Sequence, residues 1–192
     1  MEPKHITVGV LALQGGFDLH ARRLRALGAD VVLVRKAEQL DGIDALVIPG
    51  GESSTLLKLM DERLLKKLRE FVRYKPTFGT CAGAILLARE VTNPAQRSLG
   101  VLDVAIERNA YGRQVDSTIQ FIETKLAGGP LEAVFIRAPK FKRIGSGVEV
   151  LARENGDPVL VRQGKVMAAT FHPELSDDER VHEAFLKMAR KD

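Results

Sequence analysis

The sequence predicts an α/β fold: one three-layer domain over residues 1–192, with a mostly parallel central sheet and helices on both faces. Three observations carry this expectation. The apolar runs, rich in Val, Leu and Ile, are continuous rather than alternating, as strands buried on both faces require. Amphipathic stretches separate them, so successive strands are joined by helical crossovers and lie parallel. Several of the runs open at their carboxyl ends into glycine-rich turns.

Taken in order, residues 6–13 form the first apolar run. Gln14-Gly15-Gly16 ends it, and an amphipathic helix over about 17–27 is stopped by Gly28. Residues 31–34 and 45–48 are short apolar strands, the second running into Pro49-Gly50-Gly51-Glu52-Ser53-Ser54-Thr55. The plainest reading of that turn makes Ser53 or Ser54 the cap of one long helix reaching about Tyr74. Pro76-Thr77-Phe78 is the next strand, followed by a helical run over 84–88. From 101 to 170 the pattern changes to strands joined by turn signals, clearest at Asn155-Gly156-Asp157-Pro158 and Gln163-Gly164, which predicts hairpins extending the sheet. A last helix over about 177–190, capped by Ser176 with acidic residues in its first turn, closes the domain.

Composition narrows the function. A chain of 192 residues that is 45% hydrophobic can bury one sizeable core. Its single cysteine excludes an intrachain disulfide, the first seven residues lack a secretory pattern, and no apolar run approaches the ~20 residues of a membrane span. A soluble cytoplasmic protein is expected. The net charge of +4 is spread over amphipathic faces without interleaved aromatics, so nucleic acid is not an expected partner. The densest basic patch, Lys140 to Arg143, reads as a solvated loop.

That one cysteine, Cys81, lies in Gly79-Thr80-Cys81-Ala82-Gly83, between a strand-like run and a helical one. The pattern reads as a nucleophile elbow with sulfur in place of a hydroxyl. Its glycines let the chain turn sharply and thrust the side chain out at the carboxyl edge of the sheet. A helix N-terminus beneath the thiol favours the thiolate. A lone cysteine is otherwise a small packing residue, but packing requires no glycine two positions away on each side. Downstream, the apolar strand 166–171 runs directly into His172-Pro173-Glu174. Side chains two apart on extended backbone point the same way, which puts a base and a carboxylate on one face. An exposed turn would account for those three residues alone; with the elbow they complete a triad. The thiol attacks, the imidazole moves the proton, and the carboxylate fixes the tautomer. The pair Gly50-Gly51 leaves backbone N–H groups free after a strand, so Gly51 and Ala82 are the candidate oxyanion donors. No Walker lysine and no G-x-G-x-x-G accompany it.

These words, with Leu11-Ala12-Leu13-Gln14-Gly15, Glu107-Arg108-Asn109, Gly112-Arg113-Gln114-Val115-Asp116-Ser117 and Phe135-Ile136-Arg137-Ala138-Pro139, span nearly the whole chain. The sequence resembles the class I, triad-type glutamine amidotransferases. Within them it is similar to the vitamin B6 branch, to which the Gly112 and Ile136 words are specific. The resemblance implies the flavodoxin-like fold of that class. It implies that L-glutamine is hydrolysed to L-glutamate and ammonia, with Cys81 forming a γ-glutamyl thioester, His172 as base and Glu174 as orienting carboxylate. It further implies glutamine-binding positions at Gly50, Gly51, Glu52, Arg108, Ile136 and Arg137. The implied partner is a pyridoxal 5′-phosphate synthase subunit in a hetero-oligomeric complex that receives the ammonia. Neither metal nor cofactor is needed for acyl transfer by a thiolate, an imidazole and backbone donors.

The sequence departs from the family in one place, where Leu19 rather than an acidic residue precedes His20, in a stretch implied to meet the synthase. His5, His20 and His182 are read as ordinary surface histidines. Three rival readings stand beside this one: a glutaminase of another pathway such as histidine biosynthesis, a cysteine peptidase on a similar fold, and a binding-only regulator. Retention of all three triad residues argues against the last.

Overall fold

The computed structural model describes residues 5–110 and 117–191; the Gly112-Arg113-Gln114-Val115-Asp116 word lies outside them. Its first half alternates strand and helix as the apolar runs predict: β1 (Thr7–Leu11), α1 (Phe17–Ala26), β2 (Asp30–Val34) and β3 (Ala45–Ile48). The single long helix expected after β3 is two, α2 (Ser53–Leu59) and α3 (Glu62–Tyr74). Met60 is extended, and Asp61 starts a new helix by accepting a hydrogen bond from the Leu64 amide at 2.7 Å. Neither Ser53 nor Ser54 caps α2. Glu52 does, its carboxylate taking the amides of Ser54 and Thr55.

After β4 (Thr77–Thr80) and α4 (Ala82–Leu87) come β5 (Ala88–Thr92), β6 (Leu102–Glu107), β7 (Ser117–Thr124), β8 (Leu131–Ile136) and β9 (Lys140–Ile144). β10 (Glu149–Glu154), β11 (Asp157–Gln163), β12 (Val166–Ala169) and α5 (Arg180–Ala189) complete the chain. Among the described residues the main sheet runs β2-β1-β3-β4-β12-β11-β10-β7-β8. Pairings from β2 through β12 are parallel; those from β12 onward are antiparallel. The hairpins at Asn155-Gly156 and Gln163-Gly164 extend the sheet, as the turn signals predict. Not all of the later strands join it. β5, β6 and β9 form a separate small sheet, with β5 and β6 parallel, a pairing that no hairpin announces.

The basic run predicted as a loop is therefore a strand, β9. Lys142 and Arg143 on it reach Glu107 and Asp103 of β6 at 3.5 and 3.0 Å. The last helix begins at Arg180, later than expected, because Ser176 is engaged elsewhere: its hydroxyl donates to Glu132 and accepts from the Asp178 amide.

Two apolar cores flank the sheet and make the three layers. Leu56, Leu64, Leu68 and Leu86 of α2, α3 and α4 pack on one face with Phe141 of the small sheet. Ala21 and Leu24 of α1 and Phe185 and Leu186 of α5 cover the other. β3, β4 and β12 are buried at every position. No helix among the described residues is long and apolar enough to cross a membrane.

Candidate active site

Cys81 sits between β4 and α4 with φ 49° and ψ −105°, a conformation that a side-chain-bearing residue adopts only under strain. The sharp turn therefore falls on the cysteine and not on its glycines. Gly79 and Gly83 serve close approach instead. A Cβ on Gly79 would lie 2.6 Å from the Gly83 carbonyl, and one on Gly83 would collide with the Ile48 carbonyl of β3. The Cys81 amide is anchored at 2.8 Å on the Ala169 carbonyl of β12. Because β12 is the parallel neighbour of β4, the segment that follows it emerges at the same sheet edge as Cys81.

That segment carries His172 and Glu174. The two do not lie on extended backbone as the sequence reading has it. Pro173 opens a single 3-10 turn (Pro173–Leu175), its fixed φ suiting the first position of a helix. The turn still brings Glu174 Oε1 to 2.8 Å from His172 Nδ1, while the His172 amide donates to the Val134 carbonyl of β8 at 2.8 Å. Burial opposes a charged imidazole at His172, but hydrogen bonds with the Cys81 sulfur and the Glu174 carboxylate, and their charges, raise its pKa to about 10. Burial likewise opposes ionisation of Glu174. The pull of His20, with the hydrogen bond and charge of His172, overcomes it and holds the carboxyl below its usual range.

In front of Cys81 lies an open cleft of about 550 Å³ lined by Gly51, Glu52, Arg108, Ile136, Arg137 and His172. Thus seven residues singled out from the sequence, Cys81 among them, converge on one cavity of the size small-molecule sites usually have. Gly50 stands behind it: a Cβ there would lie 2.5 Å from His172 Cε1 and 3.2 Å from Cys81 Cβ. Only glycine leaves the imidazole its place. Arg108 Nη2 meets Glu52 Oε1 at 3.0 Å at the cleft wall. Although partial burial opposes it, the hydroxyls and amides of Ser54 and Thr55 lower the Glu52 pKa to about 2. Arg137, just past β8, has φ 44°, a second strained residue in the wall.

Sequence reasoning missed several residues. Ser53, Ile85, Asn109 and Pro139 also line the cleft. Gln14 latches the glycine loop from the turn after β1, its Oε1 accepting from the Glu52 amide at 3.1 Å and its Nε2 reaching the Gly50 carbonyl at 3.5 Å. His5 is exposed beside Asp30, as expected. His20 and His182 are not: both are fully buried, one beside Glu174 and the other beside His20. A histidine on an amphipathic helix gives no local sign of which face it takes. Leu19, where the sequence departs from the family, is half-buried on α1.

Burial lowers the pKa of both imidazoles, of His20 against the attraction of Glu174, and of His182, with His20 and Arg23 adding to the effect, to about 3. Held neutral in the fold, they protonate in the unfolded chain once the pH drops below the ordinary value of 6.5, so the unfolded state binds more protons and stability falls. Glu174, depressed, acts in the same direction, its contribution being lost as pH falls. His172 acts at the other end, where its contribution, complete below 6.5, is lost as pH rises through about 10. The denaturant midpoint is therefore expected to fall on acidification below 6.5, and less steeply in His182→Leu. An identical acid slope in the variant would contradict this account.

The chain is 63% identical over 183 residues to a protein of Koribacter versatilis named pyridoxal 5′-phosphate synthase subunit PdxT, covering 95% of each. It is 56% identical over 186 residues to the PdxT of Solibacter usitatus, covering 93% of this chain and 97% of that one. A solved structure described as a glutamine amidotransferase superimposes with a TM-score of 0.88 at 52% identity, over 95% of this chain and 98% of the other. Residues 10–191 match the model of the SNO glutamine amidotransferase family. A cysteine at a strand-to-helix turn, facing a histidine–glutamate pair in a cleft with an arginine and a glutamate on its wall, thus occurs here in a chain that belongs to the SNO glutamine amidotransferase family.

Proposed function

We propose that this chain hydrolyses L-glutamine to L-glutamate and ammonia and passes the ammonia to a pyridoxal 5′-phosphate synthase subunit. The observation that carries the reading is the strained Cys81 beside the His172–Glu174 pair, opening on a cleft with Glu52 and Arg108 on its wall. The α-ammonium of glutamine fits Glu52, ionised across the working pH range, and its α-carboxylate fits Arg108 and Arg137. The side-chain carboxamide then reaches Cys81.

His172 holds the thiol proton while sulfur attacks the amide carbon. The oxyanion formed accepts hydrogen bonds from the Gly51 and Ala82 amides, the latter at the first position of α4, where an N–H lacks an intrahelical partner. His172 then returns its proton to the departing ammonia, leaving a γ-glutamyl thioester. Water, deprotonated by the same imidazole, releases glutamate. Glu174 keeps Nδ1 of His172 protonated throughout, so that Nε2 does the proton transfer.

The reading is tested by glutamate release from glutamine, with and without the synthase subunit. Arg108→Ala is expected to raise KM by ~10- to 10²-fold with a smaller change in kcat, as loss of a charged hydrogen bond to bound substrate entails. Unchanged KM would remove Arg108 from the glutamine site, and no glutamate release under either condition would overturn the reading.

A further inference from the structure

Glu174 uses only one of its oxygens on His172. The other, Oε2, is buried, makes no well-aligned hydrogen bond, and has His20 Nε2 at 3.3 Å. The same Nε2 is 3.2 Å from Thr80 Oγ1, the residue before Cys81. On its far side, His20 Nδ1 is 2.9 Å from His182 Nε2, and His182 Nδ1 is buried with no hydrogen-bond partner among the described residues. These side chains come from α1, β4, the turn after β12, and α5, and the two histidines and Thr80 are fully buried.

The orphaned His182 Nδ1 decides the tautomers. If His20 Nδ1 donated to His182, His182 Nδ1 would be a buried N–H without an acceptor, and His20 would turn a bare nitrogen toward the Glu174 carboxylate. Both arrangements are costly. In the reverse arrangement His182 Nε2–H donates to His20 Nδ1, and His20 Nε2–H donates to Thr80 Oγ1 with Glu174 Oε2 beside it at 3.3 Å. The orphan is then an acceptor, and no lone pair faces the carboxylate. His20, neutral through burial, offers Glu174 an N–H dipole rather than a charge.

We propose that His20 is a positioning residue of the reaction, holding the free oxygen of Glu174 from α1, with His182 fixing the tautomer that allows it. The proposal rests on the glutaminase reading above. A terminal carboxylate torsion is broad, and one hydrogen bond leaves it free to swing. With Oε1 hydrogen-bonded to His172 and Oε2 in electrostatic contact with the His20 N–H at 3.3 Å, the carboxylate plane is restrained, and with it the imidazole that serves Cys81. The circuit closes on the elbow itself, since Thr80 touches the same His20 nitrogen.

The test compares His20→Leu, which removes the donor, with His20→Gln, whose amide N–H can stand in for Nε2–H, and with His182→Leu. Each is assayed with the synthase subunit for kcat and KM, and without glutamine for iodoacetamide alkylation of Cys81 across pH. Groups that shape the second profile are Cys81, His172, Glu174, His182 and Arg23. His20→Leu is expected to lower kcat by ~10- to 10²-fold with KM within about twofold and to displace the alkylation profile, as loss of a supporting hydrogen bond does elsewhere. His20→Gln should restore most of both, and His182→Leu should fall between. Equal loss in the Leu and Gln variants would reduce His20 to packing and overturn the proposal. So would unchanged kcat and alkylation in His20→Leu while the wild-type chain releases glutamate. Were glutamine the wrong substrate, the wild type itself would release no glutamate, yet the alkylation profile would still move and return.

Discussion

Replacing Cys81 by alanine or serine is expected to lower glutamate release by at least ~10³-fold, because the sulfur makes the bond that carries the acyl group. Serine is no substitute at this turn. Its hydroxyl proton is far harder to remove than a thiol's, and with the Cys81 sulfur gone only Glu174 is left of the two neighbours that raise the His172 pKa. Both variants should fold, since the side chain is small and Ala or Ser fills its space without collision. Glutamate release by either one at near the wild-type rate would remove Cys81 from the mechanism. A glutamine-like diazo-ketone should add its mass at Cys81, and full inactivation with that residue unmodified would be equally damaging.

His172→Ala is expected to cost about as much, and Glu174→Ala roughly one to two orders of magnitude less, as members of a unit that shuttle or merely orient a proton do. The asymmetry follows from the contacts. His172 faces the sulfur directly, whereas Glu174 acts through it from a buried position with 2.8 Å between the partners. Rates measured side by side, with folding checked by the denaturant midpoint, decide the matter. A harmless His172→Ala would refute the triad, and a Glu174→Ala more damaging than His172→Ala would mean the carboxylate does more than orient.

The parallel half of the fold could be read from sequence because its signals are local. Uninterrupted apolar runs and the glycine-flanked turns after β3 and β4 need no knowledge of distant residues. The candidate residues Cys81, His172 and Glu174 could be picked out for the same reason, since each word lies at a strand end. What escaped was set by distant neighbours. Asp61 breaks the long helix through one capping bond, which a mid-pattern aspartate does not advertise. Pairing of β5 with β6 is parallel, so the turn between them is not a hairpin and does not betray it. His20 and His182 look like surface residues because only the packing of α1 and α5 onto one face of the sheet buries them together. The strain at Cys81 was likewise hidden: the flanking glycines suggested that they take the unusual backbone angles, whereas they make room and the cysteine takes the angles.

The backbone bond from Cys81 to Ala169 joins the two central strands whose ends lead to Cys81 and to the His172–Glu174 pair, β4 and β12. Both are buried along their whole length and flanked by further strands, so their amides exchange with solvent only when the domain opens as a unit. Glu52, by contrast, is exposed at the start of a seven-residue helix. Gentle denaturation thus separates two properties that rate constants alone confound. On the proposed reading, grip on the amino-acid end of glutamine is expected to fade as α2 frays, while the spacing between sulfur and imidazole is expected to persist until global unfolding.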